Sequence, residues 1–270
     1  MPEIVRPFQL ARRPKVAVID FDGTLSLLRA GWVEIMVEIM LDVLKPLPGT
    51  QESDEDLTAF VTDFVLDMTG KATIFQMEHF VNVAKQRGGS PDTPDFYTQR
   101  FLDALNAKSD ARTAMLASGR INVEDLLIPG AIAFLTDLQS RGVQLTLASG
   151  TPGAIVRREA RLLKIDQFFE GRIFGPEEDS RAFSKLKVMR NLLAETGTSG
   201  DELIGFGDGF VETENAKEVG GIAIGCATDE DHRSGRIEDW KRTRLIRAGA
   251  DVIIPDYRVW PQLAEILFAA

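Results

Sequence analysis

Apolar positions along this chain repeat with two different periods, and the change from one to the other divides it. Val16-Ala17-Val18-Ile19 is a short, largely β-branched run of the kind that forms a buried parallel strand. From Ser26 to about Ile128 the spacing is helical throughout. Trp32, Val33, Ile35, Met36, Ile39, Met40, Val43 and Leu44 fall on one helical face, and Lys45-Pro46-Leu47-Pro48-Gly49 stops that helix. Further helices are expected over Asp54–Met68, over Thr73–Arg87 as far as Gly88-Gly89, and around Phe96–Lys108 after a proline-rich link.

After Ile128-Pro129-Gly130 short apolar runs alternate with helical patterns. Strands are expected at Val143–Ala148, Arg172–Phe174, Glu202–Phe206, Ile222–Cys226 and Val252–Ile254. Helices are expected at Ala131–Arg141, Pro152–Leu163, Lys185–Glu195, Val211–Val219 and from Trp260 onward. Such alternation implies right-handed crossovers and a parallel sheet covered on both faces. The fold class is therefore α/β: a Rossmann-like parallel sheet core of residues 1–25 and 129–270, with an all-helical domain, residues 26–128, inserted after the first strand.

Composition narrows the partners. The 270 residues carry 41 acidic and 31 basic side chains, and a sequence pI near 4.9 opposes binding to nucleic acid or anionic membranes. A phosphorylated substrate must then be drawn by local cations. Cys226 is the one cysteine, which excludes an intrachain disulfide, and two histidines give no zinc cluster. A reducing cytoplasm fits this best. Arg6, Arg12 and Arg13 sit in a lead-in arm without a signal-peptide core, and no stretch approaches the roughly 18 to 20 apolar residues of a membrane span.

Chemistry gathers at element ends. The first strand runs into Asp20-Phe21-Asp22-Gly23-Thr24, where alternation puts Asp20 and Asp22 on one side and calls for a divalent cation or a proton between them. Taken alone, Asp-Gly after a strand is equally an ordinary turn. Ser149-Gly150-Thr151-Pro152 follows a second strand, so a hydroxyl and the amides of Gly150 and Thr151 offer a phosphate cradle at a helix start, although Ser149 also reads as a simple cap. Lys185 opens a helix, where its charge is unfavourable unless an anion compensates it, and Lys187 competes for that role. Gly207-Asp208-Gly209, with Glu212 one turn on, ends another strand. An aspartate amid those glycines repels a pyrophosphate and suits a metal.

In this order and placement the four stretches resemble the motifs of the haloacid dehalogenase superfamily of phosphohydrolases. The resemblance implies that Asp20 attacks phosphorus to form an aspartyl-phosphate, while Asp22 protonates the leaving oxygen and then activates water. It implies magnesium held by the Asp20 carboxylate, the Asp22 carbonyl and Asp208, with Glu212 acting through water, and phosphoryl oxygens held by Ser149, Gly150 and Lys185. Two departures are visible: Glu212 stands where aspartate is commoner, with Glu214 nearby, and Lys185 lacks the frequent Lys-Pro setting. The helical insertion resembles the family's cap, a lid that selects substrate.

Arg29, Trp32, Lys71 and Gln76 are the candidates for substrate contact. Trp32 also fits the apolar stripe, Thr73-x-x-Gln76 also reads as a capping box, and His79 reads as a packed side chain. The basic run Arg233, Arg236, Lys241, Arg242, Arg244 and Arg247 reads as a solvated face. The expected activity is that of a Mg2+-dependent phosphatase acting on a small phosphorylated metabolite, a sugar phosphate among the candidates. A phosphomutase shares every core residue. A metabolite-binding module is the non-enzyme alternative, against which the intact set Asp20, Asp22, Ser149 and Asp208 argues.

Overall fold

In a computed structural model of the chain, residues 1–7, 12–68, 73–177 and 183–269 are described. They divide into two units, Met1–Ala30 with Gly119–Ala270, and Gly31–Ser118. The second unit consists of α1 (Trp32–Leu44), α2 (Asp54–Asp67), α3 (Thr73–Gln86) and α4 (Pro94–Ala117). Ser53 and Thr93 cap α2 and α4 by accepting from the amides of Asp56 and Phe96. Met36, Met40, Leu57, Val61, Phe80, Tyr97 and Phe101 form its apolar core. The fourth helix runs nine residues past its expected end at Lys108. Ser109–Ala117 carries no apolar stripe, but it contains no glycine or proline to stop a helix before Gly119.

The first unit holds a seven-stranded sheet. Its strands are β1 (Glu3–Ile4), β2 (Val16–Ile19), β3 (Gln144–Ala148), β4 (Ile173–Phe174), β5 (Leu203–Gly207), β6 (Ile222–Cys226) and β7 (Val252–Ile254), in the order β1-β7-β6-β5-β2-β3-β4. All neighbours are parallel except β1, which runs antiparallel to β7. The lead-in arm thus supplies an edge strand, at two residues too short to show alternation in the sequence. The sheet's helices are α5 (Ala131–Ser140), α6 (Gly153–Leu162), α7 (Lys185–Thr196), α8 (Phe210–Glu218), α9 (Asp239–Ala248) and α10 (Trp260–Leu267). One face packs Val16, Val18 and Leu203 against Met189, Leu192 and Ala216. On the other, Phe134 stacks on Tyr257 at 4.1 Å and meets Phe206 and Trp260 edge-on.

Residues 26–30 and 119–128 belong with the sheet, whereas the sequence pattern assigned them to the insertion. Ser26 bridges to Asp22 and Leu127, and the Leu27 amide donates to the Leu126 carbonyl at 2.8 Å. Leu25, Leu28, Leu126 and Leu127 are buried by this pairing of two short extended segments. Among the described residues no helix is long and apolar enough to cross a membrane.

The register positions the chemistry. β2 lies between β3 and β5, with Ile19 opposite both Leu147 and Phe206. The residues just beyond, Asp20 to Asp22, Ser149 and Asp208, therefore emerge together at the carboxyl edge. There the chain order reverses across β2, and open α/β sheets place their ligands at such a point.

Candidate active site

Asp20 is anchored by its amide, which donates to the Phe206 carbonyl at 3.0 Å. Its buried carboxylate accepts from the Lys185 ammonium at 2.7 Å (Nζ to Oδ1), and Lys185 also donates to Glu212 Oε1. Ser184 caps α7 by accepting from the Lys187 amide, which leaves Lys185 at the first helical position pointing inward while Lys187 is exposed. Glu212 approaches because position 207 is glycine: a Cβ there would stand 2.6 Å from Glu212 Cβ. Glu214 is exposed. Burial pushes the Asp20 carboxyl well above the usual range, opposed by Lys185 and reinforced by Glu212 and Asp208. For Lys185 burial acts downward, but the Asp20 and Glu212 carboxylates outweigh it and raise the ammonium above its ordinary value.

Asp22 meets different neighbours. Its Oδ2 accepts from Thr151 Oγ1 at 2.7 Å and Ser149 Oγ at 3.3 Å, while Oδ1 lies 3.7 Å from Arg29 Nε. Burial raises its carboxyl, partly offset by Arg29 and the Thr151 hydrogen bond, and so favours the acid form. Arg29 was a candidate substrate contact; its guanidinium is instead directed at Asp22 and at Glu159, 2.9 Å from Nη2. The phosphate cradle also differs in detail. Pro152 stands at the cap position ahead of α6, and the Thr151 amide, expected to point outward, donates to Ser149 Oγ at 3.0 Å. Gly150 is exposed beside them.

Asp208 completes the edge. Its amide donates to Thr24 Oγ1 at 3.1 Å, tying the loop after β5 to the loop after β2. Gly23 has a φ of +70°, and a Cβ there would collide with Asp208 Oδ2 and come within 2.9 Å of Glu230 Oε1. Lys241 Nζ lies 3.1 Å from Asp208 Oδ2 and also bonds Glu230. Burial raises the Asp208 carboxyl, Lys241 opposes this, and Glu230 and Glu212 add to it. Lys241 corrects the reading of the late basic run as a solvated face. It is 4% exposed and shares the buried side of α9 with Leu245, four residues on. That spacing was the available signal.

The set Asp20, Asp22, Asp208 and Glu212 expected around a metal does not converge as free carboxylates. Among the described residues no three carboxylate, imidazole or thiolate side chains form a ready cluster; Lys185 engages both Asp20 and Glu212, Lys241 engages Asp208, and the Thr151 and Ser149 hydroxyls engage Asp22. The donors nonetheless suit a hard divalent cation. Every candidate ligand atom is an oxygen, and Glu212 Oε2 and Asp22 Oδ1 are buried without a hydrogen-bond partner. Carboxyl groups outnumber cations here: Asp20, Asp22, Asp208, Glu212, Glu230 and Glu159 surround Lys185, Lys241 and Arg29.

In the helical unit, Trp32 packs against the apolar core and Gln76 is buried in α3. Lys71 lies outside the described residues. His79 stacks on Phe64 at 5.0 Å, a packing role.

A family model described as haloacid dehalogenase-like hydrolase matches residues 14–220. A 5'-nucleotidase of Pseudomonas aeruginosa is 24% identical over 202 residues, covering 72% of this chain and 87% of the relative. Two crystal structures share the fold. A HAD family hydrolase from Deinococcus radiodurans with bound phosphate and sodium is 16% identical, with a TM-score of 0.58 over 95% of this chain and 97% of the other. A beta-phosphoglucomutase from Clostridium difficile is 13% identical, with a TM-score of 0.59 over 94% and 97%.

Proposed function

Because the chain belongs to the haloacid dehalogenase-like hydrolases and is a phosphoric monoester hydrolase of that kind, we propose that it hydrolyses a small phosphorylated metabolite, with magnesium, through an aspartyl-phosphate on Asp20. The observation that carries this reading is the contrast between the two aspartates. Asp20 faces the Lys185 ammonium, which opposes the rise that burial gives its carboxyl, whereas Asp22 Oδ2 faces the Thr151 and Ser149 hydroxyls and its Oδ1 stands 3.7 Å from the Arg29 guanidinium. Carboxyl groups in contrasting surroundings divide the roles of nucleophile and acid.

An Asp20 oxygen bonds to phosphorus as the ester P–O bond breaks. The electron pair leaves with the ester oxygen, which takes the proton of Asp22. Asp22, now a carboxylate, accepts a proton from water; the water oxygen bonds to phosphorus and the Asp20–phosphorus bond breaks. Lys185, the Ser149 hydroxyl and the Gly150 amide hold the phosphoryl oxygens. Magnesium, when bound, supplies charge neutralisation of the phosphoryl group, held by the Asp20 and Asp208 carboxylates and the Asp22 carbonyl, with Glu212 acting through water. Residues 31–118 take the part of a substrate-selecting cap, with Trp32, Lys71 and Gln76 as candidate contacts.

The test is a panel of phosphorylated metabolites, sugar phosphates and nucleoside monophosphates included, assayed with and without magnesium. Magnesium-dependent release of inorganic phosphate supports the reading. Conversion of one phosphorylated sugar into its isomer without net release supports a phosphomutase, and silence across the panel a binding module.

A further inference from the structure

We propose that Arg29 and Glu159 form a buried positioning pair that holds the Asp22 carboxyl in the orientation from which it serves as general acid; this rests on the phosphatase reading above. Neither residue belongs to the four motif stretches, and 130 positions separate them. Arg29 is 6% exposed and Glu159 1%. Taking a guanidinium and a carboxylate out of water is costly even when they pair, so a pair at this position calls for a task beyond stability.

The geometry supplies one. Asp22 has a neighbour at each oxygen. Oδ2 is fixed by Thr151 and Ser149, in the loop that leads into α6. Oδ1 has no hydrogen-bond partner of its own, and 3.7 Å away stands Arg29 Nε, which also has none. A buried N–H group therefore faces a buried carboxyl oxygen, and its attraction for that oxygen resists rotation of the carboxyl about Oδ2. Arg29 is in turn set by Glu159, whose Oε1 accepts from Nη2 at 2.9 Å. Glu159 lies on α6 itself, so the hydroxyls on one oxygen and the counter-charge behind the other are referred to a single rigid element. The exposed Arg158 also lies 3.8 Å from Glu159 Oε1 and leaves the Arg29 contact intact. With Nη2 and Nε so directed, Arg29 is a positioning residue for Asp22 and not a clamp for substrate.

The prediction separates two leaving groups. p-Nitrophenolate departs without a proton, whereas the alkoxide of glycerol 2-phosphate requires one. In Arg29→Met, the single-turnover rate of alcohol release from the alkyl ester, read before the aspartyl-phosphate common to both esters is hydrolysed, falls by about 100-fold, the lower end of what a positioned acid contributes, while single-turnover release of p-nitrophenolate and both half-saturating ester concentrations are nearly unchanged. Arg29→Lys, which keeps a charge near Glu159, gives an intermediate and equally selective loss. Because Arg29→Met strands Glu159, the double variant Arg29→Met with Glu159→Met is made alongside it and its fold checked by circular dichroism; it keeps the selective loss. Equal losses on the two esters would overturn the inference alone. So would a raised half-saturating concentration for the alkyl ester at an unchanged single-turnover release rate, the mark of a substrate contact. Absence of wild-type turnover on both esters would overturn the phosphatase reading and this inference with it.

Discussion

Replacing Lys185 with methionine isolates the charge logic of the site. The variant keeps a flexible apolar stem but removes the ammonium that bonds Asp20 Oδ1 at 2.7 Å and Glu212 Oε1. Asp20 and Glu212 are 8% and 6% exposed, so two carboxyl groups would face each other with little water to replace the lost partner. Removing one member of a buried ion pair costs about 3–5 kcal/mol. At about 2–4 °C per kcal/mol for a domain of this size, Tm falls by roughly 6–20 °C at neutral pH. The sign of the pH dependence follows. Lys185 is raised in the folded state, so its contribution is complete below the unfolded lysine value and lost only as pH climbs through the folded one. On the acid side the gap between wild type and variant narrows instead because the stranded Asp20 carboxyl, already raised by burial, takes up a proton. Thermal unfolding of the metal-free proteins at neutral and mildly acid pH reads both effects. Adding Glu212→Gln to Lys185→Met removes one stranded charge and restores part of the loss. A neutral-pH Tm within about 2 °C of wild type, under 1 kcal/mol on this scale, would refute the buried-pair account, as would a gap of equal size in acid.

Asp20, Asp22 and Asp208 all have raised folded-state carboxyls, so their contribution to stability is present in acid, below the unfolded values, and is lost as pH rises through the folded ones. Magnesium should therefore raise Tm more at neutral than at acid pH; equal shifts would contradict the site's charge balance. Lys241→Met leaves Asp208 and Glu230 uncompensated, which lowers the metal-free Tm and enlarges the stabilisation by magnesium; an unchanged melting curve would remove Lys241 from the site. Replacing residues 31–118 by a short linker, while keeping the buried Leu25, Leu28, Leu126 and Leu127, should leave a folded sheet unit with weak activity on generic esters and a far larger loss on the true metabolite. Undiminished discrimination among metabolites would take the selecting role away from the helical unit.

Much of this was legible because polar residues in the motif stretches stand directly at the ends of apolar runs. The strands ending before Asp20, Ser149 and Asp208 announce themselves, and the parallel register brings those ends together. Two choices left open by sequence are separated by burial: Lys185 and Glu212 point inward, while Lys187 and Glu214 are exposed. Pairings between remote residues left no local trace. Arg29 and Glu159 lie on different elements, and nothing in either neighbourhood announces the other. Lys241 was hidden by the arginines around it, although its spacing from Leu245 placed it on the buried face of α9. The paired segments around Ser26 and Leu127 are too short for a period of either kind, so the helical pattern beside them absorbed them.

The central claim is that Asp20 carries the phosphoryl group during turnover. Acid quenching during steady-state hydrolysis of a labelled phosphate ester, followed by borohydride reduction and peptide mapping, reads the modified residue directly. The account predicts a reduced acyl-phosphate at position 20 in the wild type and none in Asp20→Asn, which remains folded but releases no phosphate. Steady hydrolysis by Asp20→Asn, or a phosphoryl group mapped to any other side chain, would contradict it.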